Sequence, residues 1–290
     1  MNKQNKINYN VNQTEEEELE QKSKLPTNDI VFHELFGQRG NEEIVQKFIE
    51  KILKKKIKKI DLDLNPNLER DYYDDKLGIL DVRARDAKGT NINIEMQNTT
   101  SNMLPQRILS YWSRLYNGDL KQGITYSSLN KTIAILIVNQ NMTNLKEMKK
   151  YHTKWNIREE EYTNVIFTDY FELHVIELQK YIETRTKENK DDLLDVMANQ
   201  DGKGGIKEME ENIWLDFLVN PECEEVAKAM ETDEELRIVY KKWKEIMADE
   251  ELRERARRLQ YAEYDRNTQL EEARNEGLEQ RKGTTEGKKE

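Results

Sequence analysis

"GILDVRARDAKGTNINIEMQ", residues 78–97, decides how this chain folds. It reads as two short strands joined by a polar turn. Side chains alternate across a strand, so every second residue shares a face. On the first strand Leu80, Val82 and Ala84 form an apolar set, and Asp81, Arg83 and Arg85 a polar one. On the second, Ile92, Ile94 and Met96 are apolar, and Asn93, Glu95 and Gln97 are polar. Such alternation marks half-buried strands. A three-residue loop, Ala87-Lys88-Gly89, with glycine in the left-handed position, is a favoured hairpin connection. It pairs residues whose numbers sum to 176, which sets Asp81 opposite Glu95. Facing like charges are destabilising. One of the two carboxyls is therefore protonated, as in a carboxylate dyad, or a divalent cation lies between them, or both are solvated and neutralised by Arg83, Arg85 or Lys76.

Outward from the hairpin, "LPTNDIVFHELFG" reads as a helix. Thr27 or Asn28 caps it, Asp29 suits its first turn and Gly37 ends it. A second helix, about 41–56, carries Ile44, Val45, Phe48, Ile49 and Ile52 at helical spacing and closes on the lysine run "KKKIKKI". That run reads first as the solvated end of an amphipathic helix, and second as a phosphate contact. "IDLDLNPNLE" is extended up to Pro66. "NMLPQRILSYWSRLY" is a helix with Pro105 in its first turn, an inner face of Ile108, Tyr111, Trp112 and Leu115, and Arg107 and Arg114 along one side. "KTIAILIV", 131–138, is the continuous β-branched run of a central strand covered on both faces. After a polar stretch, "VIFTDYFELHVIELQKY" supplies one or two outer strands.

The expected organisation follows. Residues 1–24, Asn-rich with the acidic run "EEEELE", form a disordered tail. Residues 25–185 form an α/β domain with a central mixed sheet flanked by helices. Residues 186–205, with "DGKGG", are a linker; 206–275 are helical and charged; 276–290 are a low-complexity tail.

Composition narrows the function. The net charge is −10, with charged residues at 36% and hydrophobic residues at 36%. The acidity lies in the C-terminal third, and 25–180 are close to neutral. A strong global affinity for nucleic acid would need a basic excess, so any DNA contact must be local. One cysteine, Cys223, and three histidines make a structural zinc site unlikely on counting grounds. The absence of an apolar leader or a long apolar run leads us to expect a cytoplasmic protein with no membrane association. His152, His174 and Cys223 read as structural, as do Tyr111 and Trp112. Tyr72 and Tyr73 could line a groove but carry no stronger reading.

The blocks "DIVFHELFG", "GILDVRARD", "INIEMQ", "LPQRILSYWSRLY" and "TIAILIV" resemble, in order and spacing, the recombination-promoting nuclease/transposase family of the PD-(D/E)XK nuclease superfamily, over roughly residues 27–180. The resemblance implies a restriction-endonuclease-like core and a Mg2+-dependent DNA endonuclease, with Mn2+ able to substitute and no small-molecule cofactor. It implies that Asp81 and Glu95 hold the metal, with Glu34 as an outer ligand. Gln97 stands where the superfamily has Lys and the family commonly has Gln, so its task is to orient water. Arg107 is the candidate for the missing positive charge, with a structural ion pair as its alternative. His33 stands where the family has Lys. DNA is the implied partner, and a homodimer through the C-terminal helices is expected. The rival readings are a catalytically weak or inactive nuclease-fold module that binds DNA or protein, and an assembly protein whose charged helices do the work.

Overall fold

The computed structural model describes residues 14–63, 82–118, 125–195 and 213–286. Six strands form one mixed sheet: β1 (Ile60–Leu62), β2 (Val82–Asp86), β3 (Asn91–Gln97), β4 (Thr132–Val138), β5 (His152–Arg158) and β6 (Ile166–Glu177), in the order β1-β2-β3-β4-β6-β5. β1, β2 and β3 are antiparallel neighbours; β3, β4 and β6 run parallel; β5 returns antiparallel along the far edge.

The hairpin keeps the expected register. Val82 pairs with Ile94, Arg83 with Asn93, Ala84 with Ile92 and Arg85 with Asn91, each summing to 176. Gly89 takes φ +86°, the left-handed position that the three-residue loop requires. Asp86 fixes the turn by accepting hydrogen bonds from the backbone N–H groups of Lys88 (2.9 Å) and Thr90 (2.8 Å). Asp81 lies outside the described residues, as do Tyr72, Tyr73, Lys76 and the "DGKGG" segment.

Helices cover both faces. α1 (Glu15–Lys24) comes first in the described chain; on one face of the sheet lie α2 (Asp29–Phe32), continuing into a π-helical turn (His33–Gly37), and α3 (Glu42–Leu53). Asn28 caps α2 by accepting from the N–H groups of Ile30 and Val31. Phe32, Phe36, Phe48 and Trp214 form a chain of ring contacts over Ile92, Ile94, Ile133 and Ile135. The other face is covered by α4 (Leu104–Asn117). It buries Leu104, Ile108 and Tyr111 against Ala134, Leu136, Val138 and Val175. β4 is thus buried along its whole length, as a doubly covered strand must be.

The C-terminal part is helical, and its helices contribute to the core beneath the sheet. α5 (Leu178–Asp195), α6 (213–219), α7 (Glu224–Ala229), α8 (Glu234–Ala248) and α9 (Glu250–Glu286) follow in order. Trp214, Leu215, Phe217, Leu218, Leu236 and Val239 join the same core as α3. α3 packs against both β1 and α8, so its apolar face is shared between the sheet and the C-terminal helices. α1 also occupies ten residues of the expected tail. Thr14 and Glu17 close a capping box around its start, and Tyr264 of α9 donates to Glu15. Among the described residues, no helix is long and apolar enough to cross a membrane.

Candidate active site

On β3 the polar face of the hairpin is buried. Asn93 and Glu95 are 5% and 2% exposed, because α4 crosses the sheet on this side and closes it from water. Asn93 Nδ2 donates to Glu95 Oε1 at 2.9 Å, while Asn93 Oδ1 is buried with no hydrogen-bond partner. A buried carboxylate demands a cation or several donors. Here one amide is seen to serve it, and an orphaned oxygen points from the same face.

Two residues on, Gln97 ends β3. Its Oε1 accepts from Arg107 Nη2, on the first turn of α4. Pro105 fits that turn because the N–H it lacks would have no helical partner there. Arg107 Nε is buried and without a partner. The guanidinium therefore keeps a donor in reserve beside the carboxylate face.

Asp29 also belongs to this end of the sheet. Its Oδ1 accepts from Asn98 Nδ2 at 2.9 Å, and Asn98 Oδ1 accepts from Asn139 Nδ2 at 3.3 Å. Burial, with Glu263 of α9 adding to it, pushes the Asp29 carboxyl up to about 7; Arg266 and Arg107 pull the other way. Burial also raises Glu263. The sequence reading gave Asp29 a helix-start role only, and Glu263 and Arg266 none. The polar run Gln97-Asn98 at a strand end was the available signal for Asp29. Nothing local marks α9, which arrives from more than 150 residues away.

Glu34 lies in the π-helical turn packed beside β2. Its Oε1 accepts from Gln38 Nε2 at 3.2 Å. Among the described residues, no hydrogen bond joins it to Glu95; Asp29, five residues earlier, is hydrogen-bonded to Asn98, just past the end of β3. His33 Nδ1 is buried and without a partner. π-turns recur at functional sites.

The donor set suits a hard cation. Glu95 and the orphaned Asn93 oxygen are oxygen donors, and Mg2+ is held by one or two carboxylates with waters and substrate phosphate filling the rest. Among the described residues, no three acidic, histidine or cysteine side chains converge as a ready-made metal cluster; Asp81, expected opposite Glu95, lies outside them.

The sequence model of the PD-(D/E)XK nuclease family transposases matches residues 26–273. The chain belongs to this family. Its mixed six-stranded sheet with flanking helices is the restriction-endonuclease-like α/β fold expected of it. The match reaches well into α9, in keeping with a C-terminal part that shares the core. Neither the curated proteins nor the solved structures yielded a match. Membership points to nuclease-like or mobile-element function, to DNA as partner, and to divalent metals as the usual cofactor of such nucleases.

Proposed function

We propose that the chain is a Mg2+-dependent DNA endonuclease of low sequence specificity, linked to recombination or to a mobile element. The observation that carries this reading is Glu95. It is a carboxylate 2% exposed, hydrogen-bonded to Asn93, whose own oxygen is unpartnered, and two residues along the same strand face from Gln97, which Arg107 engages.

Glu95, with Asp81, would hold Mg2+, with Mn2+ as a substitute. When bound, the metal lowers the pKa of water and polarises a phosphoryl oxygen. Gln97 Oε1 is engaged by Arg107, so its Nε2 hydrogens and the carboxylates orient the attacking water. Arg107 offers its free Nε–H to charge that develops on the phosphate oxygens. Asp29, through Asn98 and Asn139, fixes the backbone where β3 and β4 end. Glu34 acts at most as an outer partner. Low specificity agrees with the lack of any recognisable base-reading motif. The exposed residues of α9 are the surface we assign to a homodimer.

A second reading, a nuclease fold that binds but cleaves weakly, is favoured by one observation: the superfamily's lysine position is Gln97, and its acceptor is already used. Metal-linked stability separates the two. A ligand that binds only the folded state raises Tm by mass action. Mg2+ or Mn2+ should raise the Tm of wild type and leave that of Glu95→Gln unmoved. Equal shifts in both proteins would remove Glu95 from the metal site.

A further inference from the structure

The other end of the sheet carries a second charged cluster that the catalytic reading does not use. Glu172 on β6 is 7% exposed. Its Oε2 accepts from Lys131 Nζ at 2.7 Å, and its Oε1 from Lys154 Nζ at 3.0 Å and from His174 Nε2 at 2.9 Å. With Nε2 donating to the carboxylate, His174 Nδ1 is left to accept from His152 Nε2 at 2.8 Å. These donors hold the Glu172 carboxyl far below the usual carboxylate range despite its burial. One ionised carboxylate thus anchors two ammonium groups and two imidazoles.

More cations converge on the same place. The loop after α3, residues 54–59, contains five lysines. Lys55 lies near enough to feel Glu172, Lys131 and Lys154, and burial with the two like charges lowers its pKa. Ala87 N–H donates to Lys59 O, which ties this loop to the hairpin turn carrying Lys88. Gly89 of that turn faces Asn130, next to Lys131. Three separate segments and the edge strand β5 therefore bring lysines together at one end of a chain whose net charge is −10. Within this end, Glu50 is taken by Lys56 and Asp61 by Lys59, and Asp86 by its turn. Gathering like charges opposes folding, and Glu172 compensates only part of it. An incoming anion would compensate the rest.

We propose that this lysine cluster is a second binding site for nucleic-acid backbone phosphates, distinct from the catalytic centre; the proposal rests on the reading that the chain works on DNA. Six residues of β3 separate Asn91, beside Lys131, from Gln97, a span of about 20 Å at 3.3 Å per residue. Register also places Glu172 and His174 on the face of Ile133 and Ile135, across the sheet from Glu95. A straight duplex seated on Glu95 does not lie over this cluster. The site takes a different segment of nucleic acid, so that one chain can hold two.

The test is binding of a fluorescent 30-bp duplex by anisotropy in EDTA across a salt series, with no cleavage to read. Each neutralised phosphate contributes about 0.9 to the slope of log K against log salt. Lys131→Gln/Lys154→Gln should lower affinity about tenfold near 50 mM salt and flatten the slope by about two. Lys55→Gln, in an exposed loop, removes one of the gathered like charges and should flatten it by about one without lowering Tm. Unaltered affinity and slope in these variants would overturn the proposal, as would a wild type that binds no duplex. A wild type that binds through these lysines yet never cleaves supports the site and contradicts the nuclease reading instead.

Discussion

Arg107, on the first turn of α4, donates a hydrogen bond to Gln97 at the end of β3 and leaves its Nε unpartnered beside the buried carboxylate Glu95. Position 97 is neutral and position 107 is cationic, so the site holds its positive charge one element away from where the superfamily's lysine stands. The geometry makes the two positions interdependent.

Gln97→Lys, which restores the superfamily residue, should therefore harm this chain. It sets an ammonium against the guanidinium and removes the acceptor that Arg107 uses. We expect kcat to fall at least tenfold. Arg107→Gln alone should fall by about 10²–10³, the usual loss for a donor to developing charge. The double variant Gln97→Lys/Arg107→Gln keeps one cation and should recover much of the activity. Losses that simply multiply in the double variant, measured by single-turnover cleavage, would contradict this coupling.

The raised pKa of Asp29 predicts a pH dependence with a definite sign. The group rises from 3.8 to about 7 on folding. Between these values the folded state holds a proton that the unfolded state has released. Stability therefore falls as pH rises from about 4 to 7, and the full penalty is present above 7. One pKa unit is about 1.4 kcal/mol; with residual solvent contact the penalty is about 2 kcal/mol. Asp29→Asn keeps the acceptor for Asn98 and removes the charge. In EDTA, urea unfolding should show the variant gaining about 1 kcal/mol on wild type between pH 5 and pH 8. A gap that stays constant over that range would show that Asp29 is ionised throughout.

Gly89 tests the hairpin. A side chain at φ +86° costs about 1–2 kcal/mol, and a Cβ there would stand 2.9 Å from Asn130 Oδ1. Gly89→Ala should lower stability by about that amount or more. Gly89→Asn, the residue that best tolerates this region, should lose less on the backbone's account. Equal stability of wild type and Gly89→Ala would mean that the turn is not held in the left-handed form.

How far the sequence carried the fold can be judged element by element. The hairpin was legible because period-two alternation and the glycine of its turn are local signals, and β4 because nothing but a doubly covered strand is so uniformly β-branched. β5 was not. It is an edge strand with Lys154, Trp155, Ile157 and Arg158 exposed, so neither face imposes a pattern. α1 was read as part of a tail because its acidic run lacks an apolar stripe; its capping box and its packing on α9 hold it in place instead. Of the residues named through the family resemblance, Gln97 and Arg107 meet at the end of β3, with Glu95 two residues back on the same strand face. The buried carboxyl of Asp29 was not legible, since its burial and the charges of Glu263 and Arg266 come from tertiary packing with a distant helix. Alternation left open whether Glu95 is solvated; its burial is a tertiary effect that the pattern alone does not reveal.

The most direct measurement is nicking of a supercoiled plasmid by purified wild type, Asp81→Ala and Glu95→Gln, with Mg2+, with Mn2+ and with EDTA. The account predicts nicking by wild type with either metal, none in EDTA, and a loss of at least 10²-fold in both variants while each remains folded. Nicking by Glu95→Gln at the wild-type rate, or no nicking by wild type with either metal, would contradict it.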